Sequence, residues 1–135
     1  MAKLIQFNGE LLRVLESQNG GVVFTGASEF ITKTVNIGTA SAESAELDCG
    51  EGMRLAGYSI DAALVSTAMT YKTGHTTGSR QALSNSDGVV SHTVAASKNV
   101  TINPGDFYPW RFISFVAGTV QAGTICAITA VLASL

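Results

Sequence analysis

From Glu29 onward the apolar residues alternate with polar ones at a period of two. Ile31, Val35 and Ile37 interleave with Thr32, Thr34 and Asn36, which reads as a half-buried strand with one polar face. Met53 to Ile60 alternates again, with Met53, Leu55 and Ile60 as apolar markers after a tight break at Gly50-Glu51-Gly52. Thr67 to Lys72, Val89 to Val94 and Asn99 to Ile102 read as further short strands. Trp110 to Val116 and Thr124 to Leu132 close the chain, separated by turn residues around Gly118 and Gly123. The last strand is apolar on both parities. It is expected to be covered on both faces, by core on one side and by another subunit on the other.

Two stretches break the pattern. Thr73 to Asp87 is polar and contains Gly74 and Gly78, so it is expected to be a long loop, functional or mobile. Asn103-Pro104-Gly105-Asp106 is turn chemistry: Pro presets φ and Gly accepts positive φ. About eight short strands with Gly, Asn, Asp and Ser punctuation predict an all-β fold. The expected form is a single antiparallel β-sandwich, jelly-roll-like, with an N-terminal hairpin or arm.

The chain divides at Gly20-Gly21, giving an arm over residues 1–21 and a β domain over 22–135. In the arm, Asn8-Gly9 between two apolar runs signals a hairpin. Asn8 as the cap of a short helix with Leu11, Leu12 and Leu15 on one face is the competing reading. Either form leaves Leu4, Ile5, Phe7, Leu11, Leu12 and Leu15 needing a surface to pack on. The apolar start is too short for a signal-peptide core, and Val116 to Leu135 is too interrupted for a membrane span, so neither secretion nor membrane anchoring is expected.

Composition narrows the function classes. With 135 residues a single domain is expected, and hydrophobic residues at 46% supply a core. Charged residues make up only 13%, and the formal net charge is −2. Nucleic-acid binding is therefore not expected, because it needs many cations on one surface. The low charge also points to a surface partly covered by another chain.

Candidate chemistry is sparse. Cys49 and Cys126 are far apart, outside any CxxC or Cys/His cluster, and are expected to be reduced, half-buried thiols, with a disulfide as the alternative. His75 and His92 are the two histidines, and both are expected to be exposed and without a special role. No nucleophile elbow accompanies them, so no catalytic residue is expected. Glu43, Glu46, Asp48 and Glu51 form an acidic stretch that lacks the spacing of a calcium loop, so a solvated charged edge is expected rather than a metal site. No phosphate-binding glycine motif is present, and no cofactor is expected. Among the late aromatics Phe107, Tyr108, Trp110, Phe112 and Phe115, a core role is expected with at least one ring facing outward. Arg111 is expected to have a carboxylate partner, with Asp106 the candidate.

The stretch from Ile31 to Leu135 resembles a family of small structural proteins encoded in tailed-bacteriophage and prophage morphogenesis regions. The matching residues are Met53-Arg54-Leu55-Ala56-Gly57, Met69-Thr70-Tyr71, His92-Thr93-Val94-Ala95-Ala96 and Asn103-Pro104-Gly105-Asp106-Phe107-Tyr108-Pro109-Trp110-Arg111-Phe112. In the last and most specific of these, Asn103, Pro104, Asp106, Trp110 and Arg111 carry the motif. The resemblance implies a virion role, as a capsid decoration (cement) protein on the shell surface or as a tail or fibre module that binds a receptor or glycan. It implies the major capsid protein as partner, a homo-oligomer such as a trimer, and assembly in the host cytoplasm. The expected contact residues are the six apolar arm residues together with Ile125, Ala127 and Val131 near the C-terminus.

Overall fold

The structure is a computed structural model, and it describes residues 29–134. Leu4, Ile5, Phe7, Leu11, Leu12 and Leu15, and with them the arm, lie outside the described residues.

Two antiparallel sheets form a β-sandwich, as the alternating pattern predicts. The first sheet has the order β1 (Phe30–Ile37), β11 (Cys126–Ser134), β3 (Met53–Ile60), β9 (Asn99–Thr101). The second has the order β2 (Leu47–Asp48), β10 (Phe112–Ala117), β4 (Ala68–Thr76), β5 (Ser79–Ala82). β8 (Ser91–Thr93) also pairs with β4. β5 and β8 take successive stretches of the same edge of β4, because β10 holds its other edge.

The stretch Thr73 to Asp87 is folded rather than a loop. β4 runs on to Thr76, turns at Thr77-Gly78 and returns as β5. The chain then leaves as a small hairpin, β6 (Ser84–Asn85) and β7 (Gly88–Val89), and rejoins at Val90, whose N–H donates to Leu83 O at 3.1 Å. Its polarity reflects exposure of both hairpins rather than lack of structure. Gly78 has φ +78° at the first turn, a conformation open to glycine at no steric cost.

The inner faces meet in one core. Leu55, Tyr58 and Ile60 of β3 and Ile128, Ala130 and Leu132 of β11 face Met69 and Tyr71 of β4 and Ile113 and Phe115 of β10. The aromatic rings lock edge to face: Tyr58 lies 4.8 Å from Phe115, and Tyr71 lies 5.0 Å from Phe107, centroid to centroid. Such pairs add roughly 1 kcal/mol each beyond their burial. β11 alternates strictly, with Cys126, Ile128, Ala130 and Leu132 buried and Ala127, Thr129, Val131 and Ala133 half-buried. Its outer parity is therefore left partly uncovered among the described residues.

The Asn103 segment is more than a turn. Asn103 caps a short helix, α1 (Pro104–Phe107), by accepting from Gly105 N–H at 3.1 Å, and Pro104 sits in the first turn, where its missing donor costs nothing. Phe107 is thereby driven into the core at 0% exposure. Trp110 and Ile125 both fall just outside the strands expected to hold them. Cys49 and Cys126 are separate, free and fully buried. Burial pushes the Cys49 thiol up to about 11. Burial, reinforced by the Asp61 carboxylate, pushes Cys126 up to about 12.

Candidate functional site

Three features stand out on this frame: the two outer sheet faces, a buried polar chain, and a cleft at the end of the sandwich.

Residues directly opposed across an antiparallel ladder share a face, so the register gives the outer surface of the first sheet row by row. Thr34, Thr129, Ser59 and Asn99 form one row. Thr32, Val131, Gly57 and Thr101 form the next, and Asn36 with Ala127 a third. Hydroxyls within these rows bond to each other: Thr34 Oγ1 and Thr129 Oγ1 lie 3.2 Å apart, and Ser59 Oγ donates to Asn99 Oδ1 at 2.7 Å. No charged side chain falls in these three rows. A side chain at Gly57 would meet Val100 O at 2.9 Å, so the position stays bare. A shallow hollow of about 260 Å³ opens there, bordered by Ser59, Thr101 and Val131. Ala127 and Val131 thus lie on one face. Ile125, 49% exposed, sits in the connection before β11 rather than on that face.

The outer surface of the second sheet is built from charge pairs. Lys72 Nζ reaches Glu43 Oε1 at 3.0 Å, and Arg80 bridges Glu43 at 3.7 Å and bonds Glu46. Glu46 also accepts from Thr77 Oγ1 at 2.7 Å and Gly78 N–H at 2.9 Å, which fastens the β4–β5 turn to the acidic stretch. Burial pulls the Glu43 carboxyl upward, but the hydrogen bond and charge of Lys72 and the charge of Arg80 outweigh it and hold it below its ordinary value. Glu46 is likewise lowered despite burial, by Thr77, the Gly78 amide and Arg80. The partner of Arg111 is Asp48, not Asp106: Nε and Nη2 donate to the two carboxylate oxygens at 2.7 and 3.2 Å. That fork lowers the Asp48 carboxyl. Asp106 instead accepts from Asn85 Nδ2 at 3.1 Å, tying the β6–β7 hairpin to α1. The acidic stretch is thus largely a set of ion pairs, with Glu43, Glu46 and Asp48 each engaged by a basic side chain.

His92 differs from its expected bland role. Tyr58 OH and Tyr71 OH lie 2.7 Å apart, and Tyr71 OH lies 2.7 Å from His92 Nδ1. The chain runs from the centre of the core to a groove of about 410 Å³ beside β8 and β9. A donor sequence Tyr58 to Tyr71 to His92 leaves every buried hydroxyl proton bonded and places the remaining imidazole proton on Nε2. Burial raises both tyrosines, Tyr58 to about 12 and Tyr71 further. Nothing in the local sequence marks this chain, because its members come from three separate strands.

The cleft lies between the β4–β5 hairpin, the start of β6 and Trp110. It measures about 530 Å³. Buried Thr73 and Leu83 form its floor, with Gln81 and Ser84 on one side and His75 and Trp110 on the other. The rings of His75 and Trp110 are 4.8 Å apart, tilted 46°. A side chain on Gly74 would lie 2.0 Å from Ser79 O, so the narrow hairpin wall exists only with glycine there. Among the described residues, no Lys, Arg, Asp or Glu lines the cleft.

No family model and no curated protein sequence matches this chain. Among solved structures, the crystal structure of SPBc2 prophage-derived protein YomS is similar, at 16% identity over 84% of this chain and 100% of that one, with a TM-score of 0.54. At that identity the likeness is one of fold, and it places the two-sheet architecture of this chain beside that of a prophage-derived protein.

Proposed function

We propose that this chain is a non-enzymatic structural protein of a tailed-phage particle, and within the particle a decoration protein that binds the outer shell and ties neighbouring capsomers together. The observation that carries the reading is the outer face of the β1-β11-β3-β9 sheet, whose three central rows hold no charge. Desolvating small neutral side chains, several of them already hydrogen-bonded to each other, costs less than stripping hydration from the charges on the ion-paired face of the second sheet. The fold likeness to a prophage-derived protein supports the particle setting.

On this reading Ala127 and Val131 lie at the contact and Ile125 at its margin. The arm residues Leu4, Ile5, Phe7, Leu11, Leu12 and Leu15 add a second attachment, and the major capsid protein is the partner. Burial of a few hundred Å² yields roughly 25 cal/mol per Å² before ordering costs are subtracted. Repetition over a symmetric shell, and association of the subunits as a trimer, make modest single contacts sufficient. The test is electron cryo-microscopy of particles carrying the protein, with Thr129→Arg and Val131→Glu as variants. The reading expects shell density for the parent chain and its loss in both variants, with the variants still folded. Density confined to the tail, or variants that still decorate the shell, overturns it.

A further inference from the structure

We infer that the cleft between the β4–β5 hairpin and Trp110 is a binding site for a neutral saccharide. The inference does not rest on the virion reading. A volume of about 530 Å³ is within the usual range of small-ligand sites. The chemistry of the walls sets the class of ligand. Trp110 is only half-buried, and its ring borders the cleft against His75. The carbon-bound hydrogens on one face of a sugar ring carry slight positive charge and lie well against the negative face of an aromatic ring. Opposite, Gln81 and Ser84 are exposed and make no side-chain hydrogen bond within the described residues, so their amide and hydroxyl groups are free to meet sugar hydroxyls. The Thr73 hydroxyl on the floor and the His75 ring nitrogens supply further donors and acceptors.

The same lining excludes other classes. An anionic ligand such as a phosphate or an acidic sugar would need a cation. The cations next to lining residues in sequence, Lys72, Arg80 and Arg111, do not line the cleft and are paired with Glu43, Glu46 and Asp48. A wholly apolar ligand would strand the Gln81 amide and the hydroxyls of Thr73 and Ser84 on desolvation. A molecule with a small apolar face and many neutral hydroxyls matches both halves of the site.

Trp110 is the single tryptophan of the chain, so its emission reports the cleft directly. The experiment titrates the full chain with neutral di- to tetrasaccharides built from glucose, galactose, mannose and N-acetylhexosamines. It follows tryptophan fluorescence and calorimetric heat together. At least one saccharide is expected to give a saturable change in both. Gln81→Ala and Ser84→Ala are each expected to weaken it about tenfold with the thermal midpoint unchanged, because both side chains are exposed. Trp110→Phe, read by calorimetry, keeps a ring and is expected to weaken binding less than Trp110→Ala. Silence of the whole panel up to about 10 mM overturns the inference. So does binding that survives Gln81→Ala and Ser84→Ala at full strength, or binding of charged saccharides alone.

Discussion

Replacing Tyr71 with phenylalanine removes one oxygen from the centre of the Tyr58–Tyr71–His92 chain and breaks both of its 2.7 Å hydrogen bonds. Tyr58 is 2% exposed, so its hydroxyl proton is left with no acceptor and no room for one. A lost bond costs about 1 kcal/mol, and a stranded buried donor adds roughly 1–3 kcal/mol. Half-exposed His92 can turn its freed nitrogen to water, so it adds little. The expected cost of Tyr71→Phe is therefore about 2–4 kcal/mol, or roughly 10 °C in midpoint for a domain of this size. Tyr58→Phe breaks a single bond and strands no proton, because Tyr71 still donates to His92. Its expected cost is about 1 kcal/mol. The double variant removes the stranded hydroxyl, so it should be no less stable than Tyr71→Phe alone. Urea unfolding of the four proteins decides the matter. Equal losses for the two single variants, or a double variant whose loss is the sum of both, would refute the donor order argued above.

The other expectations concern the charged face and the thiols. Asp48→Asn and Arg111→Ala should lower stability by similar small amounts, under about 1 kcal/mol for so exposed a pair, and Asp106→Asn should not reproduce the loss; chemical denaturation compares the three. Glu43, Glu46 and Asp48 have carboxyls held below their ordinary values, so the stability they supply is present above those ordinary values, 4.5 for the glutamates and 3.8 for the aspartate, and is lost as pH falls through the depressed ones. Thermal midpoints measured from neutral pH downward should show that decline, and Glu46→Gln should flatten it. Burial raises Tyr58 from 10.0 to about 12, so its contribution is complete below pH 10 and is lost as pH rises through that window, which an alkaline unfolding series tests. Cys49 and Cys126, raised and fully buried, should not react with a thiol reagent at pH 8 until the protein unfolds, whereas rapid labelling of the native chain would contradict their placement.

The strands were legible where period-two alternation ran past six residues. Phe30–Ile37 and Met53–Ile60 fall where that pattern places them, and Cys126–Ser134 falls where the closing apolar run does. The hairpins between Thr73 and Val89 were not, because strands exposed on both faces carry no apolar alternation to read. Their cue was turn chemistry alone: Thr77-Gly78, and Asp87-Gly88 at the second hairpin. The partner of Arg111 was misread because Asp106 is near in sequence, whereas Asp48 is brought alongside by the pairing of Phe112 with Asp48. The cleft follows from neither composition nor spacing. It depends on the β4–β5 pairing and on where the chain after α1 brings Trp110, which are properties of the packed fold. Trp110 was visible as an aromatic able to face outward; its neighbour His75 was hidden in what read as loop.

The low charge of the chain acquires a direction from the structure. Acidic and basic side chains are spent on each other along the second sheet, where Lys72, Arg80 and Arg111 answer Glu43, Glu46 and Asp48. The three central rows of the first sheet hold Thr, Ser, Asn, Ala, Val and Gly on their outer side. A surface of that kind has no like-charge repulsion to keep copies or partners away and little hydration to surrender. Among the described residues the cleft is lined by the β4–β5 hairpin, Leu83, the start of β6 and Trp110, with no residue of the first sheet. A partner seated on the first sheet therefore leaves the cleft uncovered. The two proposed surfaces make compatible demands: attachment through one sheet presents the saccharide site of the other.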